Sequence, residues 1–497
     1  MKYIFGTDTL QNTAAQTVVC FVPRFEKISE RTLRLIDGAT EGAVATLLES
    51  EEFTGGVGEM VTLYRPAGFK AERLLLLGTG ESRNRTPDTY RRAMGEASRA
   101  KSVTSSQSVA VHLGHVSNSA VYQAVIEGYL LGSYKLLEYK TDENLKNKTG
   151  PDQILFAVEE KKNFPKLKQA VGRGATIAEG QLLVRELALT PSNRLTPQVY
   201  ADRVRQLCRK HQVSCRVLDE KAISAERMEA LLAVARGSAE PPRFMVVEYK
   251  GGPAGQKPIV LVGKGVTFDA GGISLKPALN MHEMKQDMTG SAVVLAAVLT
   301  ASRLRIPRNI VALMPATENM PSGTATRPGD IVKSRKGKTI EIINTDSEGR
   351  LILADALDYA NKFSPQAVID VATLTGAALI VLGYAGAPIM SNNRKLADQL
   401  RAAADATSER VWEMPIWDDH REQMKSTMAD LVNSGGRPGS TLTAGAFLEN
   451  FIGDWPWAHV DIASVDNEPK GKPYTPRGAT GFGLRLLIEL LSRWKKV

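Results

Sequence analysis

The chain has 497 residues, 43% of them hydrophobic and 24% charged, with a formal net charge of +9. Such a length exceeds what one hydrophobic core serves, so two domains are expected, and the composition excludes a disordered or fibrous chain. No run reaches the ~18 apolar residues of a membrane span, and Met1-Lys2-Tyr3-Ile4-Phe5-Gly6 lacks the apolar stretch and cleavage site of a secretory signal.

Residues 1–165 alternate short apolar runs with helical patterns. Val18–Val22, Leu74–Gly78 and Val109–Leu113 read as buried strands. Pro87 to Ala100 reads as a helix with Thr86 as N-cap and proline at the first helical position, and Ala120 to Leu131 as another. The charged stretch Glu159-Glu160-Lys161-Lys162-Asn163-Phe164-Pro165 closes this α/β domain. A connecting helix is expected over 166–190, from about Leu167 to Leu189. Thr190 to Pro197 breaks the pattern, and Thr196-Pro197 repeats the cap-then-proline signal.

In residues 191–497 strands and helices alternate again. Ile259–Val262, Ile310–Met314, Ile340–Ile343 and Ala367–Val371 read as strands. Met288 to Leu304 and Leu351 to Phe363 read as helices, and Glu318 to Asp330 as a loop. This alternation predicts a second α/β domain, a sheet flanked by helices on both faces. Sites in such sheets gather at strand ends.

Two stretches following predicted strands carry the chemistry. One runs from Val262-Gly263-Lys264-Gly265 through Asp269-Ala270-Gly271-Gly272 and Lys276 to Asp287. The other is Asn344-Thr345-Asp346-Ser347-Glu348-Gly349-Arg350-Leu351. They supply four carboxylates (Asp269, Asp287, Asp346, Glu348) and three cations (Lys264, Lys276, Arg350) among buried-type residues. Carboxylates gathered in an apolar setting repel one another unless cations compensate them. A pair of divalent ions does so economically and points to metal-assisted hydrolysis. If the strand from Ile340 continues extended, Asp346, Glu348 and Arg350 share one side. Carboxylate ligation leaves magnesium, manganese and zinc open. A lysine beside a dication is disfavoured as ammonium and can become a ligand, whereas one further off stays charged and can stabilise an oxyanion. The bland alternative is a set of buried salt bridges. The six histidines are scattered and form no His-Glu-x-x-His zinc motif. Gly263-Lys264-Gly265 lacks P-loop spacing.

At these residues the chain resembles the leucyl (cytosol) aminopeptidase family of di-metal peptidases. The resemblance rests on Val262–Pro277, Met284–Met288, Glu318–Gly323, Arg327–Asp330, Asn344–Leu357, Asp370–Ala377, Ala429–Asn433 and Trp457–Ala463, and it spans about residues 185–490. It implies an N-terminal macro-like domain and a larger C-terminal catalytic domain with a central mixed sheet. It implies Lys264, Asp269, Asp287, Asp346 and Glu348 as ligands of two divalent metals, zinc or manganese, with magnesium or cobalt as alternatives. Asp269 and Glu348 would bridge. Lys276 would polarise the scissile carbonyl, and Arg350 would hold bicarbonate as general base. The substrate amine would meet one metal and Asp287, with Met284, Thr373, Leu374 and Gly376 lining the cleft. Activity would be release of apolar N-terminal residues such as leucine, by a hydroxide shared between the ions, in a homohexamer. Two departures are Ser347, commonly alanine, and Thr289-Gly290-Ser291-Ala292, where Gly-Ala-Ala is more frequent after Met288.

Two other functions compete. Residues 1–165 hold 20 basic and 20 acidic residues, so the whole positive excess lies beyond them. That permits DNA binding, but the basic residues are scattered and no aromatic-interleaved patch occurs. A di-metal phosphoesterase is opposed by the lysine-bearing motif. The three cysteines, Cys20, Cys208 and Cys215, fit no disulfide framework, which points to a reducing, cytoplasmic setting.

Overall fold

A computed structural model describes residues 1–25, 31–81, 83, 85–113, 116–143 and 150–497. The chain divides into two compact units, Met1–Glu179 with Lys470–Pro476, and Gly180–Pro469 with Arg477–Val497. The division falls inside a single 26-residue helix, Phe164–Leu189. The sequence pattern assigns 470–476 to the second domain; they count instead with the first unit. There Arg99 Nη1 donates to Pro473 O at 2.6 Å and Tyr474 Oη donates to Asp88 Oδ1 at 3.0 Å.

The first unit is built on β1 (Lys2–Gly6), β2 (Thr17–Val22), β3 (Met60–Tyr64), β4 (Arg73–Gly78), β5 (Ser108–His112) and β6 (Gln153–Ala157), in the order β1-β6-β5-β2-β4-β3. All neighbours are parallel except β3 and β4. Successive strand residues point to opposite faces. Val19, Leu75, Val109 and Val111 accordingly pack in one cluster with Tyr90, Met94 and Tyr122. Val18, Cys20, Leu74 and Leu76 pack in another with Leu33, Ile36 and Val44. Burial on both faces explains why these strands read as continuous apolar runs. The helix at Pro87–Ala97 begins where expected, with Thr86 as N-cap.

The second unit adds β7 (Ser214–Leu218), β8 (Arg243–Lys250), β9 (Ile259–Gly263), β10 (Gly265–Asp269), β11 (Asn309–Asn319), β12 (Asp330–Lys333), β13 (Thr339–Ile342), β14 (Ala367–Ala372), β15 (Ala387–Ser391), β16 (Val411–Glu413), β17 (Leu431–Val432) and β18 (Trp457–Asp461). Among the described residues its main sheet is nine-stranded and mixed, ordered β16-β15-β18-β14-β9-β11-β8-β7, with β10 branching onto β11. Val260, Val262, Val311, Leu313 and Val368 pack with the helix Glu348–Tyr359 in one cluster. The helix Thr289–Arg303 lies against β9, β11 and β14 with no residue in that cluster, and is buried from Thr289 to Ala301. It is buried around its whole circumference and mostly apolar, as a core helix is.

Two expectations need correction. The strand at β11 runs on through Asn319, so Glu318 and Asn319 are strand rather than loop. The strand at β13 ends at Ile342, and a helix begins at Glu348. Asp346, Glu348 and Arg350 therefore do not share one extended strand. The chain turns because Asn344 Oδ1 accepts the Asp346 N–H at 2.9 Å, a local bond that competes with the ladder.

Candidate active site

The site forms where β9, β10 and β14 end. Between β9 and β10 the chain is interrupted for one residue, Lys264. Its N–H donates to Val371 O at 3.1 Å, and its carbonyl accepts the Ser291 N–H at 2.8 Å. Its side chain, 3% exposed, lies at 2.7 Å from Asp287 Oδ1 and 2.8 Å from Glu348 Oε1. It also donates to Thr373 O at 2.9 Å. A Cβ on Gly349 would stand 2.6 to 2.8 Å from the Lys264 Cε, Cδ and Nζ atoms, so the lysine stem passes over a position that must stay bare.

Asp269 is the last residue of β10, in register with Asn319. Its Oδ1 accepts from Gly271 N–H at 2.9 Å and Asn319 Nδ2 at 2.8 Å. Its Oδ2 lies 2.7 Å from Lys276 Nζ, which is also 2.7 Å from Asp346 Oδ1. Gly271, with φ of +87°, makes the tight turn that returns the chain toward Lys276. Asp287 follows a 3-10 turn, Met281–Gln286, and precedes the buried helix at Thr289. Glu348 opens the helix Glu348–Tyr359, where a helix N-terminus favours negative charge. Arg350, in the first turn of that helix, donates from Nη1 to Asn433 O at 2.8 Å.

All four carboxylates and both lysines predicted from sequence thus converge. Oxygens of Asp269, Asp346 and Glu348 lie within 4.8 Å of one another, close enough to hold a metal ion. The electrostatics are those of a crowded anionic site. Burial and repulsion from Glu348 push the Asp269 carboxyl up to about 6, against the pull of Lys276. Burial also raises Asp287 and Asp346. Burial alone would raise Glu348, but Lys264 and Lys276 outweigh it and hold it below the usual value. The same carboxylates hold both lysines as ammonium despite burial. Burial brings the Arg350 guanidinium down to about 10.

The donor set fits divalent ions. Asp287 Oδ2 is buried without a hydrogen-bond partner. Asp346 Oδ1 and Glu348 Oε1 have no partner beyond the lysine nitrogens that they touch. Hard oxygens left in this state suit a dication. Arg350 Nε is likewise buried and unpartnered.

Of the expected cleft residues, one is in contact with this centre. Thr373 touches it directly, through its carbonyl on Lys264 and its hydroxyl on Asp287 Oδ1 at 2.7 Å. Leu374 is half-buried, Gly376 is exposed, and Met284 is half-buried on the 3-10 turn. His282 is exposed. His459 is fully buried against Asp370, with Nδ1 at 2.5 Å from Oδ1, as a core histidine. Sequence reasoning did not assign roles to Asn319, Asn433 or Asp461. Asn319 ties Asp269 to the Thr345 carbonyl, at 3.0 Å. Asn433 holds Arg350 and the Ile343 and Asn344 N–H groups.

Residues 182–488 match the catalytic domain of the cytosol aminopeptidase family, and residues 18–143 match its N-terminal domain. The chain belongs to the cytosol aminopeptidase family. It is an aminopeptidase, a hydrolase of peptides, by that membership. It is 43% identical over 465 residues to a probable cytosol aminopeptidase of Syntrophotalea carbinolica, covering 93% of this chain and 94% of the relative. It is 44% identical over 468 residues to one from Geobacter sulfurreducens, with the same shares. Among solved structures, the bottromycin maturation enzyme BotP in complex with Mn is similar at TM-score 0.85 and 34% identity, over 96% of this chain and 99% of that one. A tomato leucine aminopeptidase mutant is similar at TM-score 0.88 and 30% identity, over 99% and 96%. No helix among the described residues is long and apolar enough to cross a membrane.

Proposed function

We propose that this chain is a two-metal aminopeptidase that releases apolar N-terminal residues, leucine foremost, from peptides with a free amine. The observation that carries the reading is the convergence of Asp269, Asp287, Asp346 and Glu348 on Lys264 and Lys276, with a buried Asp287 oxygen left over. Asp269 and Glu348 would serve both ions. Asp346, through side chain and carbonyl, would complete one site, and Lys264 with Asp287 the other. Zinc or manganese suits the set, with magnesium and cobalt as alternatives; the similarity to manganese-containing BotP supports manganese. Bound there, the ions supply water ionised near neutral pH and positive charge for a developing oxyanion.

The remaining work falls to the chain. Lys264 would serve as a neutral-amine ligand, since a dication among the same oxygens would reverse the preference that the carboxylates alone impose. Lys276 keeps its charge and donates to the scissile carbonyl oxygen as that oxygen becomes negative. Asp287 receives the substrate's free amine, which fixes cleavage at the first peptide bond. Arg350 would hold a bicarbonate ion, which would supply the base for the attacking water. Met284, Thr373, Leu374 and Gly376 border the first side chain. The functional division would be 1–165, a connector at 166–190 and a catalytic domain at 191–497 without 470–476, which belong with the first unit. Assembly as a homohexamer in the cytoplasm follows the family resemblance.

The test is hydrolysis of a leucine chromogenic amide by metal-stripped protein, before and after adding zinc, manganese, cobalt or magnesium. Activity should return with metal and vanish on the N-acetylated substrate. Silence with every metal, or equal turnover of the acetylated amide, sinks the reading.

A further inference from the structure

One buried carboxylate beside the centre is left unexplained by the reaction. Asp461 closes β18 with no exposed surface, and among the described residues no lysine or arginine lies within ion-pair distance of it. A buried charge in no ion pair, attracted by the Arg350 guanidinium only through space, is tolerated when hydrogen bonds replace its water. Asp461 has four such donors. Leu374 N–H reaches Oδ1 at 3.0 Å, Thr375 N–H and Oγ1 reach Oδ2 at 3.1 and 2.7 Å, and Ala463 N–H reaches Oδ1 at 3.2 Å. Thr375 spends its one hydroxyl proton on Asp461. Thr441, whose Oγ1 lies 2.8 Å from that of Thr375, must therefore donate to it. The register explains the reach: Asp461 stands opposite Ala372, the last residue of β14, and gathers the amides that follow.

What that grip immobilises is Thr373. Its carbonyl accepts from Lys264 Nζ and its hydroxyl donates to Asp287 Oδ1, the same oxygen that Lys264 Nζ meets at 2.7 Å. With Oδ1 occupied twice, Oδ2 of Asp287 is the oxygen left buried and unpartnered. We propose that Asp461 is a positioning residue: through the turn 373–375 it aims the Lys264–Asp287 half of the site, and so sets the affinity of the metal those two residues hold. Asp269, which would serve both ions, is anchored separately by Asn319. The proposal rests on the two-metal reading above. Groups that orient metal ligands typically change affinity about 10–100-fold when removed.

The experiment is calorimetric titration of metal-stripped full-length protein with manganese, for wild type, Asp461→Asn, Thr373→Val and Thr373→Ser. Wild type should bind two ions. Asp461→Asn and Thr373→Val should each weaken one of the two binding events about 10–100-fold and leave the other unchanged, while Thr373→Ser restores it. The double variant Asp461→Asn/Thr373→Val should be weaker by less than the two single effects combined, because Asp461 acts in part through the Thr373 hydroxyl. Should Asp461→Asn not fold, Thr375→Val, which removes the hydroxyl that Asp461 grips, replaces it and should weaken the same event. Equal weakening of both events, unchanged binding in Asp461→Asn, or no difference between Thr373→Val and Thr373→Ser overturns the positioning role. A wild type that binds fewer than two ions overturns the two-metal reading itself, and this proposal with it.

Discussion

The two lysines of the site sit in opposite surroundings. Lys264 is 3% exposed, clamped by two carboxylates and a backbone carbonyl, and its stem runs over Gly349. Lys276 is 20% exposed and reaches its two carboxylates from the rim of a turn. Both neutralise the same anionic group, yet only the rim lysine can meet a substrate without the core being rebuilt. On the proposed reading, exposure, more than charge, separates the lysine that would hold a metal from the one that would meet substrate.

The largest effect should come from removing what both lysines share. Glu348→Gln is expected to lose at least one metal and to lower kcat/KM by about 10³-fold or more without unfolding. Metal analysis alongside circular dichroism checks this, and full metal content with normal turnover would remove Glu348 from the ligand set. The contrast itself is tested by Lys264→Met against Lys276→Met. The first leaves buried carboxylates uncompensated and should cost the metal-free protein about 3–5 kcal/mol. The second should change stability far less and lower kcat by about 10²–10³-fold. Denaturant midpoints and saturating kinetics measure both, and a reversed pattern would dissolve the distinction.

The smallest effect is in pH. The Asp269 carboxyl stands at about 6 in the folded, metal-free chain, above an unfolded value of about 3.9. Between those values the folded state binds more protons than the unfolded one. Stability of the metal-free protein should therefore fall as pH rises from about 4 to about 6. Metal needs the ionised carboxylate, so its affinity should fall as pH drops below about 6. Thermal melts with and without manganese across that range should slope in opposite directions. Parallel slopes would mean that Asp269 is not the group being titrated.

Much of this was legible in the sequence. Apolar runs such as Leu74–Leu77 marked strands because both faces of their sheet are covered, and the spacing of Thr86 and Pro87 marked a helix start. The ligand-type residues stood out because acidic side chains rarely follow buried strands in numbers. The local geometry around Asp346 and Glu348 did not stand out. A turn set by the Asn344 side chain and a helix start at Glu348 replace the extended strand that two-residue spacing suggested. The orienting groups were hidden for a different reason. Asn433 meets Arg350 from 83 positions away, and Asp461 meets Leu374 from 87. Nothing local in a chain announces a contact at that distance.

The stem of Lys264 over Gly349 has a consequence for how this chain can vary through descent. A side chain placed at 349 would push the end of Lys264 off Asp287 and Glu348, so the position offers natural selection few intermediates to try. Gly376, where a methyl group in place of the hydrogen would meet no heavy atom within 4 Å, is the reverse. A randomised library covering both positions should return glycine alone at 349 and many residues at 376. Lineages would then diverge in what they accept at the mouth of the site while the floor beneath Lys264 stays fixed.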